Sequence, residues 1–185
     1  MKDSNFKMVL ILCAVAAVAA FVLSLVNMAT KEKIAEAYRQ EFLRGLTAVL
    51  PEYDNEPDKT ILEVKGKKVY VAKNDNKTVA YAIKSTSPKG YGGDVVVLIG
   101  IKPDGLINGI EILRHSETPG LGNNITKESW QKSFDNLTVK DDIAVKKDGG
   151  IIDQFSGATI SPRAVCEAVD KGLTFVTKNV LERKN

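Results

Sequence analysis

The chain has 185 residues, which is enough for one domain of ordinary size with an appendage but too few for two full domains. Its 26 basic and 23 acidic residues leave a net charge of +3, and no basic run favours nucleic-acid binding. The single histidine and two isolated cysteines, Cys13 and Cys166, argue against a disulfide framework and leave no ligand set for zinc, haem or an iron–sulfur cluster. Any redox chemistry therefore requires an organic cofactor.

The N-terminal segment from Met8 to Thr30 carries no charged residue and is almost uniformly apolar. About 20 helical residues at about 1.5 Å each cross a hydrocarbon core of about 30 Å, so this segment predicts one transmembrane helix. A cleaved signal peptide is the alternative, because Lys2 and Lys7 precede the apolar run and small residues occupy positions 16–20, but the run continues beyond them. Basic residues flank both ends, which leaves the orientation open.

Residues 31–50 predict a continuing amphipathic helix, which we expect to pack against the chain's own domain. Its apolar positions recur every three or four residues: Ile34, Tyr38, Phe42, Leu46 and Val49. Pro51 ends this helix, and the polar residues 52–59 are interpreted as a linker. The predicted organisation is a tail and transmembrane helix in residues 1–30, an amphipathic helix and linker in residues 31–59, and a globular domain in residues 60–185.

The following part of the chain predicts two β-hairpins. Residues 67–73 and 78–85 are rich in β-branched and aromatic side chains and flank a polar turn. Residues 94–102 and 106–115 flank Pro103-Asp104-Gly105, which suits a turn. The glycine-rich segment between the hairpins, residues 87–93, is compatible with close approach of a ligand and equally with a flexible connection.

A tight loop over residues 116–122, turning at Pro119-Gly120, comes after the second hairpin. The pattern then predicts a short helix with Trp130 and Phe134 on one face as core residues, a surface loop over residues 141–150, and a short strand at 151–152.

The last predicted helix begins with Ser161 as N-cap and Pro162 at the first helical position. Its apolar stripe is Val165, Ala168, Val169, Gly172, Val176 and Val180. Thr159 lies just before this helix, where unpaired backbone N–H groups and the helix dipole favour an anion. The residues alone thus predict a helix start that suits a phosphate, beside an accessible hydroxyl.

No catalytic constellation accompanies this helix start. His115 and Glu117 could act as a general base and its orienting partner in a hydrolase, but no nucleophile is within sequence reach. A structural or pocket-lining role for His115 is the better interpretation.

Two motifs nevertheless resemble those of a known family. Asp153-x-x-Ser156-Gly157-Ala158-Thr159 matches an Asp-x-x-Ser/Thr-Gly-Ala-Thr flavinylation motif, and residues 115–122 resemble the His-x-Glu-Thr-Pro-Gly-Leu-Gly loop of the same family. With the Gly90-Tyr91-Gly92-Gly93 segment and the N-terminal apolar segment, their order and spacing cover nearly the whole chain. The sequence therefore resembles the RnfG family of the Rnf electron-transport complex, a close relative of the NqrC family of the sodium-translocating NADH:quinone reductase.

The resemblance implies an α+β fold with a single N-terminal transmembrane helix and one extracytoplasmic FMN-binding domain, in which helices flank an antiparallel sheet. It implies that the amino terminus lies on the inner side of a prokaryotic cytoplasmic membrane and the soluble domain on its outer face. It also implies that FMN is joined through its phosphate to the hydroxyl of Thr159. A separate flavin transferase would attach it from FAD. The implied cofactor-site residues are Thr159, Asp153, Ser156, Gly157, Ala158, Glu117, Thr118, Pro119, Gly120, Leu121 and Gly122.

The implied function is electron relay within a membrane-bound, ion-translocating ferredoxin:NAD oxidoreductase, together with the other proteins of that complex and without stand-alone catalysis. The chain lacks a dinucleotide fingerprint and cluster ligands, so we expect it to bind neither NAD nor ferredoxin. Two alternatives stay open: the NqrC component of a sodium-translocating NADH:quinone reductase, and a membrane-anchored binding module without redox function.

Overall fold

The computed structural model describes residues 2–182, with side chains from Phe6 onward. Met1, the side chain of Lys2 and residues 183–185 fall within the predicted tail and domain but lie outside the described part. The chain divides into two compact units, Met1–Glu41 and Phe42–Asn185. The domain limits at residues 30 and 59 stay a prediction, because a compact unit need not coincide with a functional domain.

Helix α1 runs over Lys2–Val49, so the apolar segment and the amphipathic segment belong to one continuous helix. Its part Phe6–Val49 is the one helix in the described chain that is long and apolar enough to cross a membrane, with a mean hydropathy of 3.0 in its most apolar window. Large apolar side chains along it, including Phe21 and Leu23, are exposed. Lipid is an environment that would cover them.

The apolar stripe of residues 31–50 is buried only at its C-terminal end. Leu46 and Val49 are fully buried, whereas Ile34 and Tyr38 are exposed. The prediction that the stripe packs against the chain's own domain is therefore confirmed for Phe42, Leu46 and Val49, and it is wrong for the exposed Ile34 and Tyr38. The reason is that the cluster of apolar side chains that buries this stripe begins at Phe42.

Five antiparallel strands form one sheet in the order β1-β2-β3-β4-β5. They are β1 Ile61–Val64, β2 Lys67–Asn74, β3 Lys77–Gly90, β4 Gly93–Ile101 and β5 Ile107–Arg114. Both predicted hairpins are confirmed, as β2–β3 and β4–β5. Strand β1 was not predicted.

The glycine-rich segment 87–93 is not a free connection between the two hairpins, because β3 extends through it to Gly90 and pairs with β4 at Gly93. Pro88 is accommodated there because the register is irregular between Ser87 and Gly90. A proline lacks the N–H that a regular ladder requires and is tolerated at such irregularities.

The helices after the sheet are α2, Glu128–Gln131, and α3, Ile160–Val176, which continues as a π-helical turn over Thr177–Leu181. Short 3₁₀ turns occupy Gly122–Thr126, Lys132–Phe134 and Lys146–Asp148. Trp130 and Phe134 are buried with their rings 5.3 Å apart, which confirms them as core residues.

The segment around residue 150 differs from two expectations. The charged loop 141–150 is not wholly at the surface, because Ile143 and Val145 are buried and join the core. The apolar pair 151–152 forms no strand of its own and contributes a single bridge, from Ile152 to Val145.

The sheet packs between two helices, as period-two alternation of its side chains requires. On one face, Tyr81, Ile83, Val97 and Ile99 contact the predicted apolar stripe of α3, which is confirmed. On the other face, Ala80, Ala82 and Leu98 pack with Leu46 and Val49 at the end of α1. The expected antiparallel sheet flanked by helices is thus confirmed.

Candidate functional site

A cleft of about 330 Å³ lies where the loop after β5 meets the start of α3. Its lining consists of Tyr91, Glu117, Thr118, Leu121, Gly122, Gly157, Ala158, Thr159, Ile160 and Ser161. The two sequence motifs, separated by α2 and its flanking loops, therefore meet in one place. The volume lies at the small end of the range of about 300–1,000 Å³ that is usual for small-molecule sites.

Thr159 is the N-cap residue of α3 and is partly buried in the wall of the cleft. Its backbone is near the helical region, with φ −80° and ψ −26°, and its side chain makes no capping hydrogen bond. The Thr159 carbonyl accepts the first helical hydrogen bond from the N–H of Arg163 at 3.2 Å. Its hydroxyl, which is not committed to the cap, is thus available for another partner at the positive end of the helix.

Ser161 is not the N-cap, so that prediction was wrong. Helix α3 already begins at Ile160, which places Ser161 inside the first turn and Pro162 at the third helical position. The hydroxyl of Ser161 donates instead to Oε2 of Glu117 at 2.5 Å. A buried carboxylate from the loop after β5 thus replaces the local backbone N–H as the partner of this hydroxyl.

Glu117 is only 5% exposed, and hydrogen bonds hold it from three directions. Besides the Ser161 contact, its Oε1 accepts the N–H of Gly92 at 3.3 Å. Its own backbone N–H donates to Nδ1 of His115 at 3.1 Å. His115 is not among the residues that line the cleft, so its contact supports the structural interpretation rather than that of a general base.

Three glycines leave room for this arrangement. A Cβ atom at Gly122 would lie 2.4 Å from the Ser161 hydroxyl, and one at Gly90 would lie 2.5 Å from Oε1 of Glu117. A Cβ atom at Gly92 would lie 1.8 Å from the carbonyl oxygen of Ser116. Such distances are far below van der Waals contact, so side chains at these positions would displace the loop that carries Glu117.

Four of the expected site residues do not line the cleft: Asp153, Ser156, Pro119 and Gly120. The carboxylate of Asp153 pairs with Lys146 at 2.7 Å, and its carbonyl accepts the indole N–H of Trp130 at 2.7 Å. Gly120 has a φ of +77° and donates its N–H to Asn123 at 2.7 Å. Asp153 and Gly120 therefore make contacts within the two segments whose neighbouring residues line the cleft.

Three large apolar side chains at the cleft are substantially exposed: Tyr91 by 71%, Leu121 by 48% and Ile160 by 44%. Exposed apolar groups around a concave site are typical of a surface that a ligand or partner covers. Ile160 was not predicted as a site residue, although its position directly after Thr159 in the sequence indicates that it lies near the same site. Tyr91 appeared only as part of the Gly90–Gly93 segment.

A larger groove of about 580 Å³ adjoins the cleft at Ile160 and contains none of the motif residues from the loop after β5. Hydrogen bonds from Lys171, Ser87 and Lys89 lower the pKa of Glu167 in this groove to about 2. Burial raises the pKa of the Cys166 thiol to about 12. The ion pairs Lys89–Glu167 and Arg163–Asp148 lie in this groove, and none of the motif residues from 153 to 159 lines it, so the smaller cleft remains the candidate site.

Comparison with known families agrees with the position of this cleft. Residues 90–174 match the FMN-binding domain family, a range that contains Tyr91, the Glu117 loop and Thr159. Residues 1–49, which form α1, match the RnfG N-terminal region. The fold and the site thus define a protein with one long N-terminal apolar helix and one domain of the FMN-binding class.

Individual relatives identify the family more closely. The chain is 39% identical to the G-type subunit of the ion-translocating oxidoreductase complex of Shewanella amazonensis, over 98% of this chain and 93% of the relative. It is also 39% identical to the corresponding protein of Stutzerimonas stutzeri, over 95% of this chain and 81% of the relative. The chain belongs to the RnfG family, the G-type subunits of the ion-translocating oxidoreductase complex.

A solved structure shares the fold at lower sequence similarity. The crystal structure of Shewanella oneidensis NqrC superposes with a TM-score of 0.50 and 25% identity, covering 70% of this chain and 67% of that one. Because identity and coverage are both higher with the RnfG relatives, membership of the NqrC group is not favoured.

Proposed function

We propose that this chain is the FMN-carrying, electron-relaying component of a membrane-bound, ion-translocating ferredoxin:NAD oxidoreductase of the Rnf type. We further propose that its FMN is bonded through the phosphate to Oγ1 of Thr159. The observation that carries the proposal is the cleft itself, in which both motifs meet beside a threonine hydroxyl that the helix cap does not use.

The residues of the cleft fit FMN chemically. The start of α3 offers its positive end to a phosphate, and the exposed side chains of Tyr91, Leu121 and Ile160 offer apolar surface to a flat ring system. Gly157, with a φ of +75° and no atom within 4 Å of a Cβ position, leaves space next to Thr159 for an attaching enzyme.

The attachment step balances with FAD as the donor. The bond between the FMN phosphorus and the bridging oxygen of the FAD pyrophosphate would break, a P–O bond would form to Oγ1 of Thr159, and AMP would leave. The proton of the Thr159 hydroxyl is released, and no electrons are gained or lost. The lining of the cleft contains no histidine, and its one carboxylate, Glu117, is buried. Because the cleft therefore lacks an exposed general base to activate the Thr159 hydroxyl, a separate flavin transferase would catalyse this step.

Bound flavin would supply reversible electron transfer, and the chain's own residues would position and shield it. Thr159 would hold the phosphate, Gly157 and Ala158 would allow its approach, and Thr118, Leu121 and Gly122 would line the opposite wall. Pro119 and Gly120 would fix the turn of that wall, and Asp153 and Ser156 would support the attachment motif.

Helix α1 would anchor the domain in a prokaryotic cytoplasmic membrane, with the C-terminal domain on the outer face. Its length and apolar composition support the anchor. The relatives' name, which describes a complex, supports assembly with other membrane and peripheral subunits. An accessible cysteine tag introduced after Asn185 would report the side: labelling of intact spheroplasts by a membrane-impermeant reagent supports the outer face, and labelling only after lysis contradicts it.

The flavin attachment is tested by intact mass spectrometry of the full chain, expressed in membranes together with a flavin transferase. The wild-type protein should gain the mass of one FMN less one water and show flavin absorbance. Thr159→Ala should lose both, whereas Thr86→Ala, which removes an exposed threonine hydroxyl of β3 outside the cleft, should keep them. An adduct that persists in Thr159→Ala contradicts the site, and a colourless wild-type protein favours a binding module without redox function.

A further inference from the structure

One buried carboxylate connects the two halves of the candidate site. Glu117 belongs to the loop after β5, yet its Oε2 accepts the Ser161 hydroxyl of α3 at 2.5 Å and its Oε1 accepts the Gly92 N–H of the β3–β4 turn at 3.3 Å. Thr159 lies two residues before Ser161. The Glu117 side chain therefore links the loop of residues 116–122 directly to the first turn of α3, which follows Thr159.

The two donors to the Glu117 carboxyl group, the Ser161 hydroxyl and the Gly92 N–H, are both neutral, and no ion pair among the described residues includes Glu117. The carboxyl group is 5% exposed and lines the cleft. A negative charge on it would act with little screening on anything that occupies the cleft.

The surroundings also fix the side chain sterically. A Cβ atom at Gly122 would lie 2.6 Å from Oε2, and one at Gly90 would lie 2.5 Å from Oε1. The carboxylate therefore fills the space that these two glycines leave. A group held this tightly by packing and hydrogen bonds is suited to positioning others.

We propose that Glu117 is a positioning residue, whose carboxylate clamps the loop of residues 116–122 against the first turn of α3. The same carboxylate places a fixed negative charge beside the cleft, where it lowers the reduction potential of the bound flavin. The second role rests on the proposed function, whereas the clamp does not. Electrons added to a flavin beside a negative charge are repelled, which gives the direction of the effect.

The clamp is tested without flavin. The full chain is expressed without a flavin transferase and is studied in detergent. Trp130 is the chain's only tryptophan and is buried, so its fluorescence reports unfolding of the domain. Glu117→Gln keeps the size of the side chain but offers one acceptor instead of two, and Ser161→Ala removes the hydroxyl donor. Each should lower Tm by roughly 3 to 10 °C, because a buried polar group loses its partner.

The double variant distinguishes a clamp from two independent defects. Glu117→Gln combined with Ser161→Ala should lose little more than the larger single variant, because both changes remove the same contact. Glu128→Gln is the matched control, since Glu128 has an exposed side chain paired with Lys132 at the surface. It should change Tm by no more than about 2 °C. Additive losses in the double variant, or no loss in Ser161→Ala, would overturn the clamp.

The charge is tested in protein that carries FMN, by redox titration of its visible absorbance. Glu117→Gln should raise the flavin midpoint potential, and Glu128→Gln should leave it unchanged. An unchanged or lower potential in Glu117→Gln overturns the electrostatic role, which a purely structural side chain would not have. If the wild-type protein carries no FMN, the proposed function and this role both fail, while the flavin-free melting data still decide the clamp.

Discussion

Gly92 is the position at which the structure predicts the sharpest effect of adding a single methyl group. The Cβ atom of alanine would lie 1.8 Å from the Ser116 carbonyl oxygen, which must retreat by about 1.6 Å to reach an ordinary contact at 3.4 Å. Because the obstacle is backbone, no rotamer change relieves it. Gly92 is not among the glycines with a positive φ, so the collision alone accounts for the cost.

Overpacking against rigid structure costs about 1–3 kcal/mol, and a backbone collision falls at the upper end. For a chain of this size, about 3 kcal/mol lowers Tm by roughly 6–12 °C. Ser116 directly precedes Glu117, so Gly92→Ala should also reduce the fraction of chains that acquire FMN. Thermal unfolding followed by Trp130 fluorescence and the ratio of flavin to protein absorbance measure the two effects.

Gly66 provides the matched control. It has a φ of +75°, and no atom lies within 4 Å of its Cβ position. Gly66→Ala should therefore lose only the stability that a left-handed alanine backbone costs. The free energy of unfolding should fall by about 1 kcal/mol and Tm by roughly 2–4 °C, and the flavin content should stay full. If Gly92→Ala and Gly66→Ala show equal losses of stability and equal flavin contents, the steric reasoning about the Ser116 contact is wrong.

Two further predictions concern the groove beside the cleft. The pKa of Glu167 is lowered from 4.5 to about 2, so its ionised form stabilises the fold above about pH 4.5 and this contribution is lost as the pH falls towards 2. The Tm difference between wild type and Glu167→Gln should therefore be largest near pH 6 and disappear near pH 2; a constant difference would contradict the assignment. Cys166 is buried with its pKa raised to about 12, so in a Cys13→Ser background its thiol should react with iodoacetamide at pH 8 only after unfolding. Rapid labelling of the native protein would show that the thiol is accessible.

Most of the fold could be predicted because its signals are local. The hairpins β2–β3 and β4–β5 follow from alternating β-branched residues around polar turns, and α3 follows from its apolar stripe. Strand β1 was missed because it is an edge strand whose Ile61 and Leu62 are exposed, so its pattern shows no buried face. The extension of β3 was missed because Ser87-Pro88 indicates a turn unless a register irregularity accommodates the proline.

The candidate site was predictable in composition but not in its internal contacts. The motifs around Thr159 and Glu117 were identified from sequence, and the structure brings them to one cleft. The bond between Ser161 and Glu117 joins residues 44 positions apart, whereas the local rule for helix starts assigned Ser161 as the cap. The local rule considers only neighbouring backbone groups as partners of Ser161. The tertiary structure adds a buried carboxylate, which is a strong hydrogen-bond acceptor, and the Ser161 hydroxyl donates to it.

The charge of the cleft gives a physical reason for a covalent flavin. None of the ten residues that line it, all within the described part of the chain, is lysine or arginine, so the lining itself offers no ion pair to a phosphate. The helix dipole contributes about 0.3–1 kcal/mol at a surface site, which is at most about fivefold in affinity. The buried carboxylate of Glu117 opposes an anion rather than attracting it. A small cleft with these electrostatics would release FMN readily, and the proposed phosphoester to Thr159 would prevent that loss without requiring a deeper pocket that would hide the flavin from its redox partners.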